Sequence, residues 1–176
     1  MGAFYSSVMV LDSDPERIAA VCSRPAYMVS DERVTVVFAA ADDEGGGDIS
    51  EGSLSAAVNA VTLSVLVHDS DLLALMIHRG GEMLLQGCVP DPAEYFGMDD
   101  DEPLQELTGS AIVSLLGRGD ARAVDSALSD EDASAEDRHE AVLSALGLPI
   151  WSVGFGYRYL DAGPDTFAGP ALQRLD

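Results

Sequence analysis

Residues 67–87 read VHDSDLLALMIHRGGEMLLQG. Leu72 to His78 and Glu82 to Cys88 are apolar runs of strand length, too short for independent helices. Between them, Arg79-Gly80-Gly81 supplies the positive φ that a tight hairpin needs. Val65 to Val67 is a further strand on the upstream side, reached through His68-Asp69-Ser70-Asp71. That polar quartet reads as a turn, in which Asp and Ser side chains bond nearby main-chain N–H groups. Its alternative reading is a cation site built on Asp69 and Asp71. Calcium or magnesium would then draw further oxygens from Asp42, Asp43, Glu44 and Asp48.

Working outward, Phe4 to Leu11 is a first strand, followed by a helix that starts at Asp12-Ser-Asp-Pro15. An Asp or Ser cap with Pro at the first helical position is a standard helix start. Ala26 to Val29 and Val34 to Ala40 form a hairpin. The segment ADDEGGGDIS (41–50) is a flexible acidic connection, without the Lys and Ser/Thr of a phosphate loop. Leu54, Ala57, Val58 and Val61 make one stripe on a helix spanning 50–63. Downstream, Leu104, Leu107, Ala111 and Leu115 define a helix ending at Gly117. The acid run at 99–102 sits ahead of it, where carboxylates suit a helix N-terminus. Further helices cover 121–128 and 134–146. The last begins at a capping box, Ser134 to Asp137, and ends at Gly147. Residues 150–160 read as a final extended segment carrying Trp151, Phe155, Tyr157 and Tyr159. Exposed, this aromatic strand would be a ligand or interface stripe. Buried, it would be core.

The expected fold is α+β: a mainly antiparallel sheet with helices packed on one face, in a single domain over 1–163. A loosely docked tail, 164–176, completes it. No repeat of fixed period and no Rossmann glycine pattern is present.

The chain has 176 residues, of which 47% are hydrophobic, with 31 acids against 9 basic residues and a net charge of −22. Every basic residue is Arg, which points to a GC-rich bacterial genome of the actinobacterial kind. Such acidity argues against direct binding to nucleic acid or anionic membranes, since phosphate recognition needs a positive surface. It favours fast association with a basic partner. Acidity kept for solubility alone is the competing explanation. Without an apolar stretch of bilayer length or a basic leader, the expected location is the cytoplasm. There, Cys22 and Cys88 are expected as free buried thiols, and neither lies in a zinc-ligand pattern. His78 at a strand end and His139, expected at a helix surface, have no nucleophile elbow to serve.

Three motifs following the quoted hairpin carry a resemblance. Pro92-Ala-Glu-Tyr-Phe96, Ala145-Leu-Gly-Leu-Pro149 and Val153-Gly-Phe-Gly-Tyr157, with Asp69-Ser70-Asp71 before them, make residues 65–163 similar to a group of small bacterial proteins without an assigned activity. The resemblance implies a stand-alone cytosolic protein of the expected fold, and supplies no catalytic residue.

These observations converge on a non-catalytic acidic protein-binding module. An immunity protein or inhibitor that masks a basic toxin or nuclease would have this character, with no cofactor. The alternative is a metal-dependent hydrolase or small-ligand enzyme using Asp69 and Asp71. A third reading is a homodimer paired through the aromatic strand. Candidate binding residues are therefore Asp69, Asp71, Trp151, Tyr157 and Tyr159.

Overall fold

The computed structural model describes residues 2–40, 51–91 and 105–176. The acidic loop at 41–50, the Pro-x-x-Tyr-Phe segment and the acid run at 99–102 lie outside the described residues. The elements are β1 (Tyr5–Leu11), α1 (Pro15–Val21), β2 (Ala26–Asp31), β3 (Val34–Ala39), α2 (Glu51–Val58), β4 (Val61–His68), β5 (Leu72–Arg79) and β6 (Glu82–Val89). They continue with α3 (Gly109–Leu116), α4 (Ala121–Leu128), α5 (Ala135–Leu146), α6 (Tyr157–Ala162) and β7 (Gln173–Leu175).

The strands hydrogen-bond in the order β6-β5-β4-β1-β3-β2-β7, and each neighbouring pair is antiparallel. Within this sheet, β1-α1-β2-β3-α2-β4 places its strands as 4-1-3-2, the split βαβ arrangement. The β5–β6 hairpin extends one edge and β7 the other. Central β1 is buried along its whole length.

Side chains alternate across a strand, so β1 serves two cores at once. Tyr5, Met9 and Leu11 join Leu63, Val65, Leu73, Leu75 and Ile77 beneath the C-terminal helices, including Ile112, Val124, Val142 and Leu146. Val8 and Val10 point the other way, to Ile18 of α1 and to Leu54 and Val58 of α2. The expected helical layer on one face is thus formed by α3–α6. The two crossover helices α1 and α2 add a smaller layer on the opposite face.

Several expected boundaries move for identifiable reasons. The helix expected over 50–63 stops at Val58, because Asn59 takes the left-handed conformation at φ 53°. Val61, expected on the helical stripe, instead begins β4 opposite Arg79. Helix α3 starts at Gly109 rather than near Leu104, with Thr108 as its N-cap and Ile112 and Leu116 as its buried face. By contrast, the Pro15 helix start, the Ser134–Asp137 capping box and the left-handed Gly147 end all stand as read from sequence.

Two C-terminal expectations are corrected. Residues 150–160 do not form a strand: Ile150–Ser152 is a 3-10 turn and Tyr157 opens α6. Gly154 at φ 79° breaks the extended path between them. The alternation of aromatic and small residues was therefore a coincidence of composition. The tail beyond 163 is not loosely docked at its end either. Gln173–Leu175 pairs with Ala26–Met28, and Leu175 is buried.

Candidate functional site

The turn at Asp69-Ser70 is where the sequence concentrates its polar groups. Both residues have positive φ, 52° and 65°, and Asp71 N donates to His68 O at 3.1 Å. This is a type I′ turn, whose twist matches the β4–β5 hairpin. Asp and Ser are not the easiest residues for it, and here their side chains have other work. Asp69 Oδ1 accepts from Gly2 N at 2.8 Å. Ser70 Oγ accepts from Ala3 N at 2.7 Å and donates to Glu136 Oε1 at 2.8 Å. The Ser70 main chain adds two bonds, its N to Ala3 O and its O from Ala135 N. The turn therefore ties the start of β1 and the first residues of α5 to the sheet. Asp71 is exposed beside it. Among the described residues, no three His, Cys, Asp or Glu side chains gather to hold a metal ion. The supplementary ligands considered at 42–48 lie outside the described residues.

Beneath this turn, one helical turn further along α5, sits His139. The surface position expected for it is corrected: the side chain is fully buried. Its Nδ1 lies 2.8 Å from the Tyr5 hydroxyl. Burial pulls His139 down to about 3 and pushes the Tyr5 phenol well above its ordinary range. Burial thus favours the neutral imidazole, which shares a hydrogen bond with the Tyr5 hydroxyl through Nδ1, and its Nε2 has no hydrogen-bond partner among the described residues. A buried neutral histidine held by a tyrosine packs the helix against β1. The clue lay in spacing, because Ala135, His139, Val142, Leu143 and Leu146 share one face of α5.

His78 is buried near the end of β5, and burial lowers its basicity. His68 packs edge-on against Phe4, with ring centroids 4.8 Å apart. Cys22 and Cys88 are both free thiols, and burial, followed by nearby Asp91, pushes Cys88 up to about 11. That favours the protonated thiol over a nucleophilic thiolate.

The aromatic candidates divide. Trp151 and Phe155 both meet Phe167 edge-on, at 5.5 and 5.2 Å. Tyr157 packs against Tyr27 at 5.6 Å. These three are half-buried parts of the main core's margin. Tyr159 alone of the candidates is an exposed large side chain, at 43%.

The arginines form a pattern that sequence reading missed. Helices α1, α2, α3 and α5 carry no basic residue in their last turns. Guanidinium groups from elsewhere in the chain cap them instead. Arg24 donates to Ala19 O, Arg17 to Ala57 O, Arg79 to Leu115 O, and Arg118 to Leu146 O and Gly147 O. Arg138 donates through two nitrogens to Asp130 O. The carbonyls of Ala19, Ala57, Leu115 and Leu146 lie in last helical turns, at the negative end of a helix dipole, so a cation there is favourable, whereas Asp130 O belongs to the α4–α5 loop. Arg33 pairs with Asp12, and Arg174 with Asp161 and Asp176. Five of nine arginines thus bond main-chain carbonyls, and Arg24 also donates to Asp176 O.

Comparison with known protein families, with curated proteins and with solved structures finds no match to this chain.

Three outcomes test the site. Asp69→Asn keeps an acceptor and a residue that tolerates positive φ, so unfolding free energy should change by less than about 0.5 kcal/mol. Ser70→Ala should cost about 1–3 kcal/mol in urea titrations, because Ala3 N–H and the Glu136 carboxylate both lose partners. For His139, the folded value lies below the unfolded value of about 6.5, so the unfolded chain binds the extra proton as pH falls. Stability is full above about pH 6.5 and declines towards pH 3, by about 1.4 kcal/mol per unit for this group. His139→Gln should remove that part of the slope between pH 7 and 5; an unchanged slope would show that other groups produce it.

Proposed function

We propose that this chain is a non-catalytic acidic docking module that engages a basic surface on another protein, as an immunity protein or inhibitor does. The observation that carries this reading is the placement of the arginines. Several of the nine arginines are held at helix ends, the net charge with all of them counted is still −22, and most carboxylates among the described residues are exposed. A surface of that kind repels nucleic acid and attracts a cationic protein at long range. The cationic active site of a nuclease or toxin is one such target, because masking it needs dense carboxylates delivered quickly.

The resemblance to small stand-alone bacterial proteins agrees with this role, in a cytoplasm where Cys22 and Cys88 stay reduced. No helix of the described residues is long and apolar enough to cross a membrane. Asp69 serves as an acceptor for the Gly2 main chain, a use that fits a docking scaffold better than a hydrolase centre.

The test is affinity capture at low and high salt, followed by association kinetics with the purified partner. The expected partner is basic, and its association rate should fall at least about tenfold between 20 and 300 mM salt. Capture of no basic protein at low salt, or a rate that ignores ionic strength, would overturn the reading.

A further inference from the structure

Two open clefts meet at the junction of β6, α4 and the α4–α5 loop. One, of about 920 Å³, lies between the Asp69-Ser70 turn and residues 129–134. The other, of about 520 Å³, runs between Cys88 on β6 and residues 105–108. Val89, Leu128 and Ser129 line both, so the two clefts adjoin along a shared wall formed by Val89, the largely buried Leu128 and Ser129. Asp71, Glu131 and Asp132 rim the first cleft, and Asp91, Glu106 and Asp125 the second. All six belong to exposed residues. Among the described lining residues the one cation is Arg138, which is buried and fixed on the Asp130 carbonyl.

We infer that this groove is the docking face of the module, and that its occupant is an extended Arg- or Lys-bearing segment of the partner protein with apolar residues between the cations. The inference rests on the docking function proposed above and adds its location and ligand chemistry. Charge complementarity selects the occupant. The carboxylates are spread along the rim, and among the described residues none gather as a metal-holding group. Spaced acids suit several separate cationic side chains better than one ion. The Val89 and Leu128 wall would receive the apolar side chains between them. Residues at successive positions of an extended segment face opposite ways, which lets one segment address wall and rim together.

The test uses the full chain and two labelled peptides of equal length and charge, one alternating Arg with Leu and one alternating Arg with Gly. Binding is measured in about 20 mM and about 300 mM salt, where screening differs strongly. The groove variant is Glu106→Gln with Glu131→Gln, and the control is Glu16→Gln with Asp165→Asn. Both pairs are exposed, neutralise two charges and leave the same net charge. The expected result is tighter binding of the Arg-Leu peptide, weakened about tenfold by the groove variant and less than about twofold by the control. Equal loss in both variants would overturn the groove while leaving a diffuse acidic docking surface intact. Equal affinity for the two peptides would remove the apolar wall from the account, and with it the inference. No saturable binding at low salt would also overturn it, whereas failure of the docking function itself would show as absence of any salt-dependent basic partner.

Discussion

Ser70 makes four hydrogen bonds through its main chain and hydroxyl, and these join three parts of the chain at one point. The β4–β5 hairpin turns there. The Ala3 strand entry is held by two of the bonds, one to the main chain and one to Oγ. The Ala135–Glu136 start of α5 is held by the other two. This fixes where α5 begins, and the direction of the helix then brings His139 over Tyr5 and Val142, Leu143 and Leu146 onto the sheet. Together with the Tyr5–His139 hydrogen bond, that junction ties central β1 to the main covering helix at this end.

The parts of the fold legible in sequence are those governed by local chemistry. Pro15 after an aspartate, Gly80-Gly81 between apolar runs, and Ser134 three residues before Asp137 each state a conformation that neighbours do not override. What was not legible depends on partners distant in the chain. Residues 173–175 form a strand because β2 presents an open edge, and nothing in Gln-Arg-Leu announces it. The 150–160 segment looked extended because aromatic and small residues alternate, yet Gly154 and Gly156 mark a turn and a helix cap. Asn59 is a readable stop signal, obscured in sequence because Val61 prolongs the helical stripe by chance.

The candidate site was legible only in part. The Asp69-Ser70 quartet reads as a turn in sequence and is one in the fold, since short polar side chains shape such turns through main-chain bonds. Its role as a three-way junction was not legible, because Gly2 and Glu136 lie 67 and 66 residues away from their partners. The groove beside it joins residues from the β4–β5 turn, β6, two helices and two loops, a juxtaposition no sequence window contains.

Charge follows the same logic. Counting residues gives −22, but only the structure tells where the few cations go. Arg24, Arg17, Arg79 and Arg118 sit on helix-end carbonyls at Ala19, Ala57, Leu115 and Leu146, Arg33 and Arg174 pair with carboxylates, and 22 negative charges remain in excess. A protein arranged this way carries electrostatic self-repulsion in its free state, which screening should relieve. The most direct measurement is thermal unfolding of the isolated chain as sodium chloride rises from about 20 to about 500 mM, at neutral pH. The account predicts that Tm climbs by several degrees, most steeply at the low end. A Tm that stays level or falls would mean that the carboxylates are already balanced within the fold, and would contradict it.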